Sequence, residues 1–379
     1  MNTSGLQQTA ISVLLNILLF LIIYLYYRNA KCRPYRIPQN AHIVATLLIL
    51  VFNIFSFWGT DWFHLYDAYP SIQNGDRTHV EDVYVWMSQN IAANYYIFRI
   101  IVWGIALLLL YATFKRMSIS LHLQLYMFVI FGLIWFSYAR VSLAMAMMFY
   151  GASLLYRPYK AKGLSYIWGL GLIVASFFFH KSAIFGIGII AIAMISAVLK
   201  PKTLILIVIL LPLIYSVVSR YIIQFIAMDI DLDSGLSQSV TSAQSYLDRD
   251  EGAHSIMGRV LVFSERLSYI IIAFLSLRLL ASSSLHKTIP MVIAIFMRIL
   301  VFNILVSSFF LFPIVGLDFS VVSERFFRFS FIPATIIVSY LWEAGIFCEW
   351  TKWTVRVGLV MNTFALGYSF YIALLSDKI

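Results

Sequence analysis

The side chains in this sequence that could do chemistry are ionisable residues set among apolar ones. Arg140 stands in SYARVS (137–142), between two long apolar runs. His180 and Lys181 interrupt FFFHKSAIF (177–185) in the same way. Arg259 and Arg266 are seven residues apart, so they share one side of a helix, with Glu265 beside them. Arg325 and Arg328, three apart, share a face just after Glu324. Arg99 and Arg298 lie deeper in apolar runs, the second with Asn303 nearby. A charge near a bilayer centre costs about 2.5–3.5 kcal/mol on insertion scales, so such residues face a cavity or a partner. Arginine's planar fork donates bidentate hydrogen bonds that suit diphosphate. Histidine titrates near neutrality and can hold a phosphate or carry a proton. The chemistry on offer is recognition of a multiply charged headgroup. Each residue also has a plainer reading: Arg140 snorkels to headgroups, His180 caps two helix ends, and Lys181 anchors at the surface.

Aromatic residues add a second surface. FWGTDWFHLYDAY (57–69) supplies Trp58, Trp62, Phe63, Tyr66 and Tyr69, and Trp86 follows. Part of this is the aromatic belt found at any membrane interface. Mixed with Asp61, Asp67 and Glu81, it also fits a carbohydrate-handling surface. Ring faces stack on the apolar faces of sugars, and carboxylates accept from hydroxyls.

Other motifs fail on inspection. DIDLDSG (229–235) starts like a calcium loop, but Ser234 stands where Gly is needed and Val240 where the bidentate Glu belongs. A solvated acidic loop is the better reading. No His-Glu-x-x-His, Gly-x-Ser-x-Gly or phosphate-binding Gly-x4-Gly-Lys motif occurs, and the seven histidines lack ligand spacing. No metal and no cofactor are expected.

The elements that must position these residues are membrane helices. The chain has 379 residues, is 61% hydrophobic and 12% charged, and has a mean hydropathy of +0.87. Soluble domains are about half apolar and about a quarter charged. A bilayer admits only helices or closed barrels, and apolar runs without alternation are helices. Hydropathy predicts an all-α polytopic protein with twelve spans, at 10–27, 40–57, 94–112, 121–138, 141–156, 163–180, 182–199, 203–222, 259–281, 289–312, 326–343 and 357–375. The whole chain, 1–379, reads as a single transmembrane domain, with two longer outer loops at about 58–93 and 227–258. MNTSGLQQ lacks the basic start of a cleavable signal.

Two of these runs, 121–156 and 163–199, are too long for one span and leave no room for a loop between two. Each must fold as a tight hairpin, which puts Arg140 and His180–Lys181 at outer tips. Orientation follows from charge: 15 of the 27 Lys and Arg fall in short loops on one side, which is therefore cytoplasmic. Fourteen of the 17 acids fall on the other side. The net charge of +10 is membrane anchoring, and nucleic-acid binding is a poor reading of short-loop clusters facing anionic lipid. Cys32 and Cys348 both fall on the reducing side, so no disulfide is expected.

Segments GTDW with the Tyr-rich stretch after it (59–69), EDVYVWMSQNIAANYYIF (81–98), ARVSLAMAMMFYGASLLY (139–156), ASFFFHKSAIF (175–185) and SERFFRFSFIP (323–333) follow one another in a familiar order. In that order they resemble the EpsG branch of the Wzy-type polysaccharide polymerases. The sequence departs from the family pattern at FSFW before GTDW, where an Arg is common, and at Val141, where Gln is common.

The resemblance implies a GT-C-like glycosyltransferase in the bacterial cytoplasmic (inner) membrane. It implies polymerisation of undecaprenyl-diphosphate-linked repeat units at the extracytoplasmic face, for O-antigen, capsule or exopolysaccharide. Donor and acceptor are both lipid-linked glycans, and a chain-length regulator protein is a candidate partner. No nucleotide sugar is needed, because the diphosphate is the leaving group. On this reading Arg140, Arg325 and Arg328 hold the diphosphates, with Arg259 and Arg266 as second candidates. Asp61, Glu81 or His180 is the base, His180 having the ordinary pKa best matched to neutral pH. Trp62, Tyr66 and Asp67 face the sugar. A lipid-linked oligosaccharide flippase or an O-antigen ligase would use similar arginines. A flippase would line both faces with charge, and a ligase differs in its acceptor. A membrane acyltransferase lacks its His-x4-Asp pair here.

Overall fold

The computed structural model describes residues 4–32, 40–55, 60–77, 80–132, 139–156, 163–197, 203, 206–207, 210, 256–282, 289–311 and 326–361. Those residues form helices and turns, with no strand among them. The helices are α1 (Ser4–Cys32), α2 (Ala41–Phe55), α3 (Thr60–Gln73), α4 (Asp82–Asn90), α5 (Tyr95–Arg116) and α6 (Leu121–Phe131). They continue with α7 (Ala139–Leu155), α8 (Leu164–Phe179), α9 (Ala183–Ser196), α10 (Ile256–Ala281), α11 (Met291–Leu311) and α12 (Phe331–Glu343). A further helical segment covers 348–361. Among the described residues, three helices are long and apolar enough to cross a membrane: Ala10–Cys32, Tyr95–Arg116 and Met291–Ser308. Five shorter apolar helices accompany them, including Arg140–Leu155, Leu164–Phe179 and Ala183–Ser196.

Burial sorts the helices. In α7 every residue from Val141 to Phe149 is buried, and most of α11 and α12 is buried on all sides. A helix that is apolar all round belongs in the middle of a bundle. By contrast α1, α2 and α8 leave Leu14, Ile17, Leu21, Val44, Leu47, Leu164, Ile167, Trp168 and Phe178 exposed. So much outward apolar surface would be intolerable in water, and lipid is the solvent that fits it.

The α7–α8 pair sets the geometry that matters most. A Cβ on Gly151 would lie 2.6 Å from the Gly169 carbonyl oxygen, and one on Gly169 would lie 2.9 Å from that of Gly151. Only glycine lets the two backbones approach this closely. From that crossing, Arg140 is eleven residues up α7 and His180 is eleven residues along α8. Eleven residues are about three turns and about 16 Å. Equal offsets along antiparallel helices therefore bring Arg140 and His180 to the same height on facing sides. Gly151→Val is expected to force the pair apart and destabilise the protein by about 1–3 kcal/mol. Gly171→Val is the control, since a Cβ there meets nothing within 4 Å. Thermal unfolding in detergent checks both; equal midpoints would remove the crossing as a constraint.

The sequence reading is refined in three places. The outer loop at 58–93 is not irregular: it contains α3 and α4, short helices too polar to reveal themselves by hydropathy. Tyr69 donates to the Ala92 carbonyl at 2.7 Å, and Gln73 Nε2 donates to the Ala93 carbonyl at 3.1 Å, tying α3 to the short link between α4 and α5. The predicted span at 357–375 starts earlier, because helix already runs from 348, with Lys352 and Arg356 on it rather than in a loop. Charged residues had masked the first turns. The tip of the first hairpin (133–138) and nearly all of the 203–222 span and the 227–258 loop lie outside the described residues.

Candidate functional site

At one end of the bundle α4, α7 and the α8–α9 turn meet. The turn is as tight as predicted: the Ala183 N–H donates to the His180 carbonyl at 2.9 Å, and the Ile184 N–H to that of Lys181 at 3.2 Å. His180 thus ends α8, and its side chain points away from its own hairpin. Its Nδ1 lies 2.9 Å from Glu81 Oε1. Arg140 Nη1 donates to the other carboxylate oxygen, Glu81 Oε2, at 3.3 Å. Glu81 is the N-cap of α4 and bridges two residues that are 59 and 99 positions away in sequence. Its side chain is 12% exposed, against 16% for Arg140 and 20% for His180.

Tyr84 holds the three together. It lies one turn after Glu81, is fully buried, and its hydroxyl donates to the Arg140 carbonyl at 3.4 Å. Its ring meets Phe98 of α5 edge-on at 5.5 Å and Phe179, the residue before His180, at 6.1 Å. Tyr84 of α4 therefore touches both helices that carry its partners' side chains, α7 through its hydroxyl and α8 through its ring. The sequence reading gave Tyr84 no role; its i, i+3 spacing from Glu81 was the available signal.

Electrostatics fixes the protonation pattern. Burial alone would push the Glu81 carboxyl up, but the His180 hydrogen bond, the His180 charge and the Arg140 guanidinium outweigh it. Glu81 is held below the ordinary carboxylate range, so it is an acceptor at neutral pH. The shared proton therefore sits on His180 Nδ1. When the imidazole is neutral, its Nε2 keeps a free lone pair. A depressed carboxylate contributes stability that is present above its unfolded pKa, about 4.3, and is lost as pH falls through the folded value. The gap in melting temperature between wild type and Glu81→Gln is expected to close as pH drops below about 4.3. A gap independent of pH would sink that assignment.

The other predicted residues fall into three groups. Arg328 is half-buried in the 326–330 segment beside the hairpin tip. The Phe326 ring packs on Phe185 at 4.4 Å, and a Cβ on Gly186 would meet Phe329 at 2.8 Å. Arg266 is almost fully buried: Nη1 donates to the Ser307 carbonyl at 3.2 Å and the guanidinium lies 4.7 Å from the Phe327 ring centre. Tyr66 and Asp67 are exposed on α3, with Tyr66 edge-on to Tyr95 and Tyr96 at 5.9 and 6.3 Å. Asp61 and Trp62 lie on α3 and Arg259 and Glu265 on α10, but their side chains are outside the described residues, as are Glu324 and Arg325 altogether. Arg99 is buried, donating from Nη2 to the Asn53 carbonyl at 2.6 Å. No group of three metal-ligating side chains occurs among the described residues.

Apolar helices with lipid-like outer faces, carrying an arginine–carboxylate–histidine cluster at one end, define an integral membrane protein with a polar centre at a bundle end. The chain matches the EpsG family over residues 40–376, and it belongs to that family. EpsG is a Wzy-type polymerase-like family, so this is a membrane protein of the polysaccharide polymerase type. No curated protein and no solved structure matches the chain.

Proposed function

We propose that the chain polymerises undecaprenyl-diphosphate-linked oligosaccharide repeat units at the outer face of the cytoplasmic membrane, as one GT-C-like domain of twelve spans. The observation that carries this reading is the Glu81 carboxylate bridging Arg140 and His180. It sets an anion-binding group beside an oriented acid–base group, at the bundle end that carries α4.

In this reading the acceptor sugar hydroxyl gives its proton to His180 Nε2 as its oxygen bonds to the donor's anomeric carbon. The bond from that carbon to the diphosphate breaks, and its electron pair leaves with the diphosphate. Arg140 and Arg328 neutralise that departing charge, together with Arg325; Arg259 and Arg266 remain second candidates. Glu81 is a poor base, because its ionised form is so well stabilised. It serves better as the residue that orients His180, as carboxylates do in catalytic triads. Asp61 is the alternative base. Tyr66, Asp67 and Trp62 form the sugar-facing surface. The leaving group arrives activated, so neither a nucleotide sugar nor a metal is required.

The test is the lipid-linked glycan profile of a deletion strain and of its complemented derivatives. Single repeat units on the lipid support polymerase chemistry. Full-length polymer left on its lipid would point to ligation instead, and units trapped on the inner face would point to transport.

A further inference from the structure

The opposite end of the bundle holds a second buried cation, far from the Glu81 cluster. Arg298 of α11 is 4% exposed. Its Nη1 donates at 3.0 Å to the Ala294 carbonyl, one turn back on its own helix, and its Nε has no hydrogen-bond partner among the described residues. The guanidinium therefore points toward the start of α11 and lies within electrostatic reach of the Tyr156 hydroxyl, at the end of α7. Arg116 Nη2 donates to the Ser153 carbonyl at 3.1 Å, one turn before Tyr156. From Arg140 to Tyr156 is sixteen residues of α7, about 24 Å, so this is a separate place.

Among the described residues no carboxylate pairs with Arg298. The sequence offers none nearby either. The stretches of sequence that follow α1, α7, α9 and α10, at 33–39, 157–162, 198–202 and 283–288, contain no Asp or Glu and include Arg33, Arg36, Arg157, Lys160, Lys162, Lys200, Lys202 and Lys287. The two acids at this end are engaged: Glu343 accepts from Ser120 at 2.7 Å, and Glu349 from Lys352 at 2.7 Å. A buried guanidinium that makes one hydrogen bond among the described residues, with no acid in the adjoining stretches of sequence, calls for an anion from outside the chain.

We propose that Arg298 and Tyr156 form a binding site for a phosphate oxyanion of the class carried by anionic membrane lipids. The Arg298 fork takes two phosphate oxygens and the Tyr156 hydroxyl donates to a third. Position favours a lipid source: the side chain reaches back toward the helix end, where the headgroups of the cytoplasmic leaflet lie.

The experiment is thermal unfolding of the full chain in detergent, titrated with phosphatidylglycerol, phosphatidylcholine or inorganic phosphate. Wild type is expected to gain about 5 °C at a hundredfold excess of phosphatidylglycerol over Kd and nothing from phosphatidylcholine. Arg298→Gln is expected to abolish that gain. Tyr156→Phe and Arg298→Lys, which keep packing and charge respectively, are expected to reduce it, and they serve if the glutamine variant does not fold. An Arg298-dependent gain from inorganic phosphate as well would identify free phosphate as a second source for the same site. The proposal is overturned if these variants gain as much as wild type. It is equally overturned if Arg278→Gln, whose guanidinium lies over the Phe347 ring at 4.9 Å, loses the gain to the same extent. That outcome would mean diffuse surface charge.

Discussion

Polymer synthesis by the His180→Ala variant is expected to fall by about 10²–10⁴-fold, the usual contribution of a positioned general base. His180 ends α8, so its backbone N–H still donates to the Ser176 carbonyl when the ring is removed, and the helix end survives. What disappears is the Nε2 lone pair, together with the Nδ1 contact that the Glu81 carboxylate receives at 2.9 Å. The measurement is turnover of a lipid-linked repeat unit by purified variants, alongside the polymer ladder of complemented deletion strains. Glu81→Gln should be milder, because an amide can still accept from Nδ1 through its carbonyl but no longer stabilises an imidazolium. Loss of the carboxylate should lower kcat more than it raises KM, since that charge matters most as the proton arrives. A full-length, full-yield ladder from His180→Ala would remove His180 from the chemistry and promote Asp61.

Arg140→Ala is expected to cost about 10²–10³-fold, as loss of one preorganised donor to a developing negative charge does. Arg140→Lys should recover part of this, because it restores charge without the planar fork. A purely structural arginine predicts another pattern. Removing it would leave Glu81 with His180 alone, the melting temperature would fall, and lysine would rescue stability and activity together. Melting temperature and turnover measured on both variants separate the cases. Stable Arg140→Ala protein with wild-type turnover would exclude a role in diphosphate departure.

The two roles interlock through Glu81. In the structure Arg140 is committed to a carboxylate oxygen at 3.3 Å, longer than the 2.9 Å contact to His180. A diphosphate competes for the same guanidinium with more charge and more acceptors. The arginine contact is the longer of the two and, in the proposed reaction, the one exchanged, while the histidine contact would keep the proposed base oriented.

How much of this was legible in the sequence can be judged residue by residue. Composition dictated membrane helices, because a chain this apolar has no other stable solvent. The lengths of the runs at 163–199 dictated a hairpin with no loop and put His180 at its tip, as the tight turn shows. The polar helices α3 and α4 could not be read that way. Their apolar residues are too few for hydropathy, and their stability comes from tertiary contacts such as Tyr69 to the Ala92 carbonyl.

The sequence by itself determined which residues could do chemistry, since a charge among apolar residues must be compensated. Arg140 and His180 were visible as candidates for that reason, and Glu81 as an acid among the aromatics of an outer loop. Only the tertiary structure decided that they are partners. They come from three segments, and their meeting rests on two glycines that allow a close helix crossing and on one buried tyrosine ring that spans the gap. Sequence spacing cannot report that a Cβ at Gly151 would strike the Gly169 carbonyl, because the clash belongs to the packed pair and to neither helix alone. The structure likewise gave Glu81, one of three base candidates, two partners at once, which is why we propose that it orients another. A carboxylate's role is set by what surrounds it, and its surroundings exist only once the helices have packed.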